Sequence, residues 1–213
     1  MIIGTVFGAL LAWRMVGADG PTVVINELMW MGSSASSADE WIELRNLTDQ
    51  PVDLSNWQLT KKSSGNEVAM LTIPTGKTLP ANGYFLISNY ANTNTSSVLS
   101  VVPNYVTTDV ALSNSALQVK LYDQNHVLLD TADDGVGNPL AGNFDSTKKI
   151  YAAMERNPIP GDGTLGQSWH AASRGVGFQD GKTERGTPGS INSNGLPLAN
   201  AGPDQNAVAG QDV

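Results

Sequence analysis

The stretch Asp39–Leu59, DEWIELRNLTDQPVDLSNWQL, most narrows what this chain can become. Its first residues alternate polar with apolar, the period of a strand lying half-buried on a pleated surface. Asn46, Thr48, Asp49, Gln50 and Pro51 follow, residue types that end strands and form turns, and a second apolar segment opens at Trp57. Two indoles flanking a polar corner are stable only if both pack against something. The stretch predicts two short strands joined by a corner in an all-β domain.

The rest of the chain repeats this pattern. In LQVKLYDQNHVLLD, Leu117, Val119 and Leu121 point one way and Gln118, Lys120 and Tyr122 the other, with the turn at Asp123-Gln124-Asn125. Further strands are expected over Thr22–Ile25, Glu40–Asn46, Trp57–Thr60, Val68–Ile73, Tyr84–Ser88 and Ile150–Glu155. No window of ten or more residues carries apolar positions at the helical spacing i, i+3, i+4, i+7. Seven or more short strands separated by turn residues predict a β-sandwich. Two polar connections, Asn89–Tyr105 and Asp133–Lys149, read as exposed loops.

The two ends differ from this body. Residues 1–18 open with MIIGTVFGALLAW, too short for a membrane span of about 20 residues, and reach Val16-Gly17-Ala18, small residues suited to signal-peptidase cleavage. They read as a signal peptide without the usual basic n-region; the competing reading is a buried first strand. The expected product is a secreted or surface-exposed bacterial protein with no membrane span in the mature chain. Residues 21–192 form the expected β domain. Residues 193–213 turn small and polar, punctuated by Pro and Gly, as interdomain linkers do. Within them PLANAGPDQNAVAGQDV, Pro197–Val213, resembles the opening strand of polycystic-kidney-disease (PKD) type and related Ig-like repeats. The expectation is a linker followed by an incomplete second β domain.

Charge and composition exclude several function classes. A formal charge of −8, with no cluster of basic residues, makes nucleic acid an unlikely partner, because that affinity is built on Lys and Arg. The absence of cysteine rules out disulfides and thiolate metal sites.

Several segments taken in order are similar to the lamin-tail domain (LTD) in its bacterial form: VVINELMW (Val23–Trp30), Asp39–Leu59, IPTGKTLPANGYFLI (Ile73–Ile87), the hairpin around Asp123, SWHAA (Ser168–Ala172) and GTPGSIN (Gly186–Asn192). The resemblance implies an Ig-like β-sandwich. It also implies a non-catalytic attachment or interaction domain, commonly found beside Ig-like repeats or extracellular hydrolases. The partner expected on this basis is a protein or polysaccharide at a surface.

Four sets of residues bear on chemistry. Glu27, Asp39, Glu40 and Glu43 would converge near the loop 32–38 if the first two strands pair, and calcium takes six to eight such oxygens. Their spacing is not that of a calcium loop, however, and Glu40 and Glu43 fall on opposite strand faces. The competing role is capping of backbone amides or pairing with Arg45. Asp130, Asp133 and Asp134, with Gly135, Asn138 and Asp145, are a second calcium candidate that reads better as turn residues. For catalysis there are two histidines, His126 and His170, and no G-x-S-x-G elbow, so no catalytic residue and no cofactor is expected. Of the tryptophans, Trp41, Trp57 and Trp169 read as core, and Trp30, ahead of a Ser-rich loop, as the candidate ligand contact.

Overall fold

A computed structural model of the protein describes residues 22–194. The signal-peptide reading of residues 1–18, the linker and the PKD-like opening therefore lie outside the described residues, apart from Ser193 and Asn194. In chain order the strands are β1 (Val23–Met29), β2 (Trp41–Asn46), β3 (Val52–Asp53), β4 (Gln58–Ser63), β5 (Asn66–Thr72), β6 (Thr78–Leu79) and β7 (Tyr84–Ser88). They continue with β8 (Tyr105–Val106), β9 (Val119–Tyr122), β10 (Leu128–Ala132), β11 (Asn143–Asp145), β12 (Ile150–Ala152), β13 (Met154–Arg156) and β14 (Trp169–Ala171). One 3-10 turn, Gly166–Ser168, precedes β14.

Two sheets make the sandwich. One has the order β14-β13-β1-β2-β7-β8 and the other β10-β9-β4-β5, while β11-β12 and β3-β6 are separate two-stranded ribbons. The alternation read from the sequence sets what each strand turns inward. Ile42 and Leu44 of β2, Phe85 and Ile87 of β7, Leu59 of β4, and Val119 and Leu121 of β9 join one core cluster that also holds Trp57 and Trp169. The corner Asn46–Trp57 is pinned by its own polar groups: the Asn46 amide donates to the carbonyls of Gln50 and Pro80 at 2.7 and 3.0 Å. The expected turn at Asp123 also forms, its Oδ1 accepting the Asn125 and Val127 N–H groups, both at 2.8 Å.

The six-stranded sheet is covered on both faces. Met29, Trp41, Leu86, Ala153 and Ala172 form a second buried cluster on its outer side, so β1 is buried along its whole length. A bulge between Ile25 and Glu27 makes this arrangement. One extra residue reverses the side-chain alternation, leaving Ile25 and Leu28 in the sandwich core and turning Glu27 to the outer face.

The two connections read as exposed loops are corrected in part. In Asn89–Tyr105, Asn89, Ser97, Val98 and Leu99 are buried, because the Val98 N–H donates to the buried Asp39 carboxylate at 2.9 Å. In Asp133–Lys149, Asp133 is buried and Asn143–Asp145 pairs as β11 with β12. Both connections are polar in composition yet tied down by side-chain acceptors, which strand periodicity does not register.

Candidate functional site

Strand register builds the most unusual polar feature of the molecule. Glu43 of β2 stands opposite Glu27 of β1, Glu27 opposite Glu155 of β13, and Glu155 opposite His170 of β14. The result is one cross-strand row on the outer face, with the three glutamates entirely buried. Like charges directly opposite one another destabilise a sheet, and buried carboxylates demand hydrogen-bond donors.

The segment Gly186–Ser193 supplies them. The Thr187 N–H donates to Glu27 Oε1 at 2.9 Å, the Gly189 N–H to Glu43 Oε2, and the Ser193 N–H to Glu155 Oε2 at 2.8 Å. The Thr187 hydroxyl lies 2.8 Å from Glu155 Oε1 and 3.3 Å from Glu27 Oε2. Asn26 donates to Glu43 Oε1 and to Asn192 Oδ1, both at 2.8 Å, while Asn192 donates to the Arg156 carbonyl at 2.8 Å. His170 places Nε2 2.9 Å from Glu155 Oε2 and Nδ1 2.8 Å from Asn157 Oδ1. Burial, and then the neighbouring glutamates, push Glu27 well above the usual carboxylate range. Burial pushes Glu43 up to about 8. Burial acts on Glu155 in the same direction, but hydrogen bonds from His170, Ser193 and Thr187 outweigh it and hold this carboxyl below its ordinary value.

Asp39, Glu40 and Asp130 share this habit of holding a distant backbone amide. Asp39 accepts from Ser33 Oγ at 2.7 Å and from Val98 N–H. Glu40 accepts the Leu112 N–H at 2.9 Å, and burial raises it to about 7. Asp130 accepts the Ile25 N–H at 2.8 Å and a paired contact from the buried Arg156, with Nη2 at 3.0 Å. Asp133 accepts from Gly135 and Leu140, and exposed Asp134 from Val136. Arg45 pairs with none of the acids; its Nη1 donates to the Pro158 carbonyl. The calcium candidates are thus dispersed: Glu27 groups with Glu43 and Glu155, Asp130 with Arg156, and Asp133 and Asp134 with their own turn. Among the described residues, no group of three or more His, Asp or Glu is arranged to hold a metal ion.

Trp41, Trp57 and Trp169 are buried. Trp30 is half-buried, with its indole N–H donating to the Ala141 carbonyl at 3.0 Å. His126 sits in the β9–β10 turn at a positive φ of 61°, its ring centroid 5.8 Å from that of Tyr122. Sequence reasoning missed Glu155, Thr187, Asn192 and Glu184, the last of which accepts the Ser34 N–H at 2.7 Å. The one available signal for Glu155 was a charged residue at the end of the apolar strand Ile150–Glu155.

A groove of about 500 Å³ lies between Leu128–Thr131 and Pro160–Thr164. Its first wall is β10, the edge strand of the four-stranded sheet. No helix among the described residues is long and apolar enough to cross a membrane.

These features define an all-β, Ig-like sandwich whose buried carboxylates tie its loops to its sheets. The family model described as Lamin Tail Domain matches residues 17–135, more than half of the chain, and the chain belongs to that family. The match spans β1 to β10, whereas Glu155, His170 and the Gly186–Ser193 segment lie beyond it. A comparison with curated proteins finds no match.

Proposed function

We propose that this protein is a non-catalytic interaction and scaffolding module, secreted or displayed at a bacterial surface, that holds a protein partner at the edge strand β10. The groove beside that edge carries the reading. Leu128 at its lip is 47% exposed, and Val127, Ile159 and Leu165, next in the chain to its two walls, are 54%, 81% and 45% exposed. An edge strand offers unpaired backbone groups to an extended segment, and apolar residues beside it receive alternate side chains. The buried ionisable groups support the same conclusion, since Glu27, Glu40, Glu43, Asp130 and Glu155 are each engaged in holding the fold together.

Panning a random peptide library on the folded domain is expected to enrich extended sequences with alternating apolar residues. Their NMR footprint should fall on Leu128–Thr131, and Leu128→Lys should abolish binding. A footprint elsewhere, or binding indifferent to Leu128→Lys, would refute the edge-strand reading.

An accessory carbohydrate-binding module is the second reading, and the β11–β12 ribbon favours it. Phe144 is 42% exposed, stands 4.5 Å centroid to centroid from Tyr151 and has Lys149 over its ring at 5.8 Å. A glycan array with wild-type and Phe144→Ala protein tests it: hits lost in the variant support the reading, and an empty array removes it.

A further inference from the structure

The hydroxyl of Thr187 has one proton and several claimants. It stands 2.8 Å from Glu155 Oε1, 3.3 Å from Glu27 Oε2 and 3.4 Å from Asn192 Oδ1. A hydroxyl donates once and accepts through its lone pairs, so its proton belongs to the shortest contact, Glu155. Glu27 Oε2, which also accepts the Thr187 N–H at 3.2 Å, then faces the lone pairs of the Thr187 oxygen, a contact that a proton on Glu27 turns into a hydrogen bond. The row of three glutamates at neighbouring register positions favours a proton within it, and Glu27, standing between the other two, meets the repulsion of both.

We propose that the Gly186–Ser193 strap is a proton-operated latch: it lies closed on the sheet while one proton is held along Glu27, Thr187 and Glu155, and it lifts when that proton is withdrawn. Closed, the proton sits on Glu27 Oε2 and points to Thr187 Oγ1, whose own proton points to Glu155 Oε1. On opening, a solvent base removes the Glu27 proton and leaves a second buried anion beside Glu155. Water then replaces the strap over the row.

The charged and titratable groups facing this row come from every element around it. They are Glu43 and Arg45 on β2, Glu27 on β1, Tyr84 on β7, Glu155 on β13 and His170 on β14, with Arg174 bonded to the strap at Ile191. Arg45 and Arg174 are committed to the carbonyls of Pro158 and Ile191, and His170 pairs with Glu155, leaving Glu27 without a cationic partner at hydrogen-bond distance among the described residues. Burial and the other two glutamates raise Glu27, and burial raises Glu43 to about 8. The proton is therefore lost as pH climbs above the ordinary carboxylate range.

Amide hydrogen exchange on the full chain, corrected for intrinsic rates, reads the latch directly. Protection of the Thr187, Gly189 and Ser193 amides should fall by about tenfold per pH unit above the transition, as expected for opening coupled to loss of one proton, while the Val119–Tyr122 amides hold. Glu27→Gln should remove this pH dependence, because glutamine accepts from the Thr187 N–H and donates to its hydroxyl as the neutral acid does. Strap protection indifferent to pH, a parallel loss across β9, or a fall retained in Glu27→Gln each overturns the proposal. Should that variant fail to fold, infrared difference spectra of the wild type decide. A protonated-carboxyl carbonyl band must disappear in step with strap protection, and its absence at mildly acidic pH sinks the latch.

Discussion

At the scale of single residues, Arg156 shows how closely charge is managed in this interior. It is 1% exposed, pairs with Asp130, donates to the Gly161 carbonyl at 2.8 Å and lies 4.6 Å from the centre of the Trp169 ring. Removing one member of a buried pair strands the other, so Arg156→Met is expected to cost about 3–5 kcal/mol. An Asp130→Asn/Arg156→Met double variant should recover part of that loss. Urea unfolding of the two variants and the wild type checks both statements. In sequence Asp130 opens the acidic stretch DTADDG, which reads as a turn, and nothing local there announces a guanidinium that arrives from 26 residues further on.

Among elements, the strap stands out because a segment outside the strands makes the hydrogen bonds that satisfy the buried glutamates. Asn192 ties it to β1 and β13 through Asn26 and the Arg156 carbonyl. Asn192→Ala removes the donor to the Asn26 and Arg156 carbonyls, and each buried acceptor left unsatisfied costs about 1–3 kcal/mol. The expected result is a lowered melting temperature and strap amides that exchange faster than those of β9, as read by hydrogen exchange. The strands themselves were legible in advance: Glu40–Asn46, Tyr84–Ser88 and the Leu117–Asp130 hairpin appear close to where alternation places them. β1 runs on to Met29, beyond the expected end at Ile25, because a sheet covered on both faces has no exposed side to produce alternation. Two-residue β3, β6 and β8 carry too few positions for any periodicity to show.

For the molecule as a whole, its raised carboxyls predict an acid-favoured stability. Glu27 is raised, Glu40 lies at about 7 and Glu43 at about 8, each through burial. A group raised in the folded state contributes its stability below its unfolded value and loses it as pH climbs through the folded one. Glu40 and Glu43 therefore weaken the fold between roughly pH 4.5 and 8, and Glu27 acts in the same direction as pH climbs above its ordinary value. In the opposite direction, Glu67, lowered to about 2 by hydrogen bonds from Lys120 and Tyr122, and Glu155 withdraw their contributions as acid protonates them. The melting temperature at constant ionic strength is expected to peak at roughly pH 4.5–6 and to fall toward pH 9. A maximum at or above neutrality would contradict this account.

Alternating side chains, turn residues and the lack of helical spacing were enough to establish an all-β sandwich and which residues fill its core, since those patterns are local and each strand carries its own. The fate of the acids was not local. In the sequence Glu27, Asp39, Glu40 and Asp130 are spaced carboxylates for which binding a cation competes with capping backbone amides or forming turns, and nothing there names the amides. Folding gave them donors from positions 187, 98, 112 and 25. A bulge of one residue and the register of three strands set Glu27 between Glu43 and Glu155. Register and bulges are settled by packing across the whole sheet, so no single segment of the chain could announce that row.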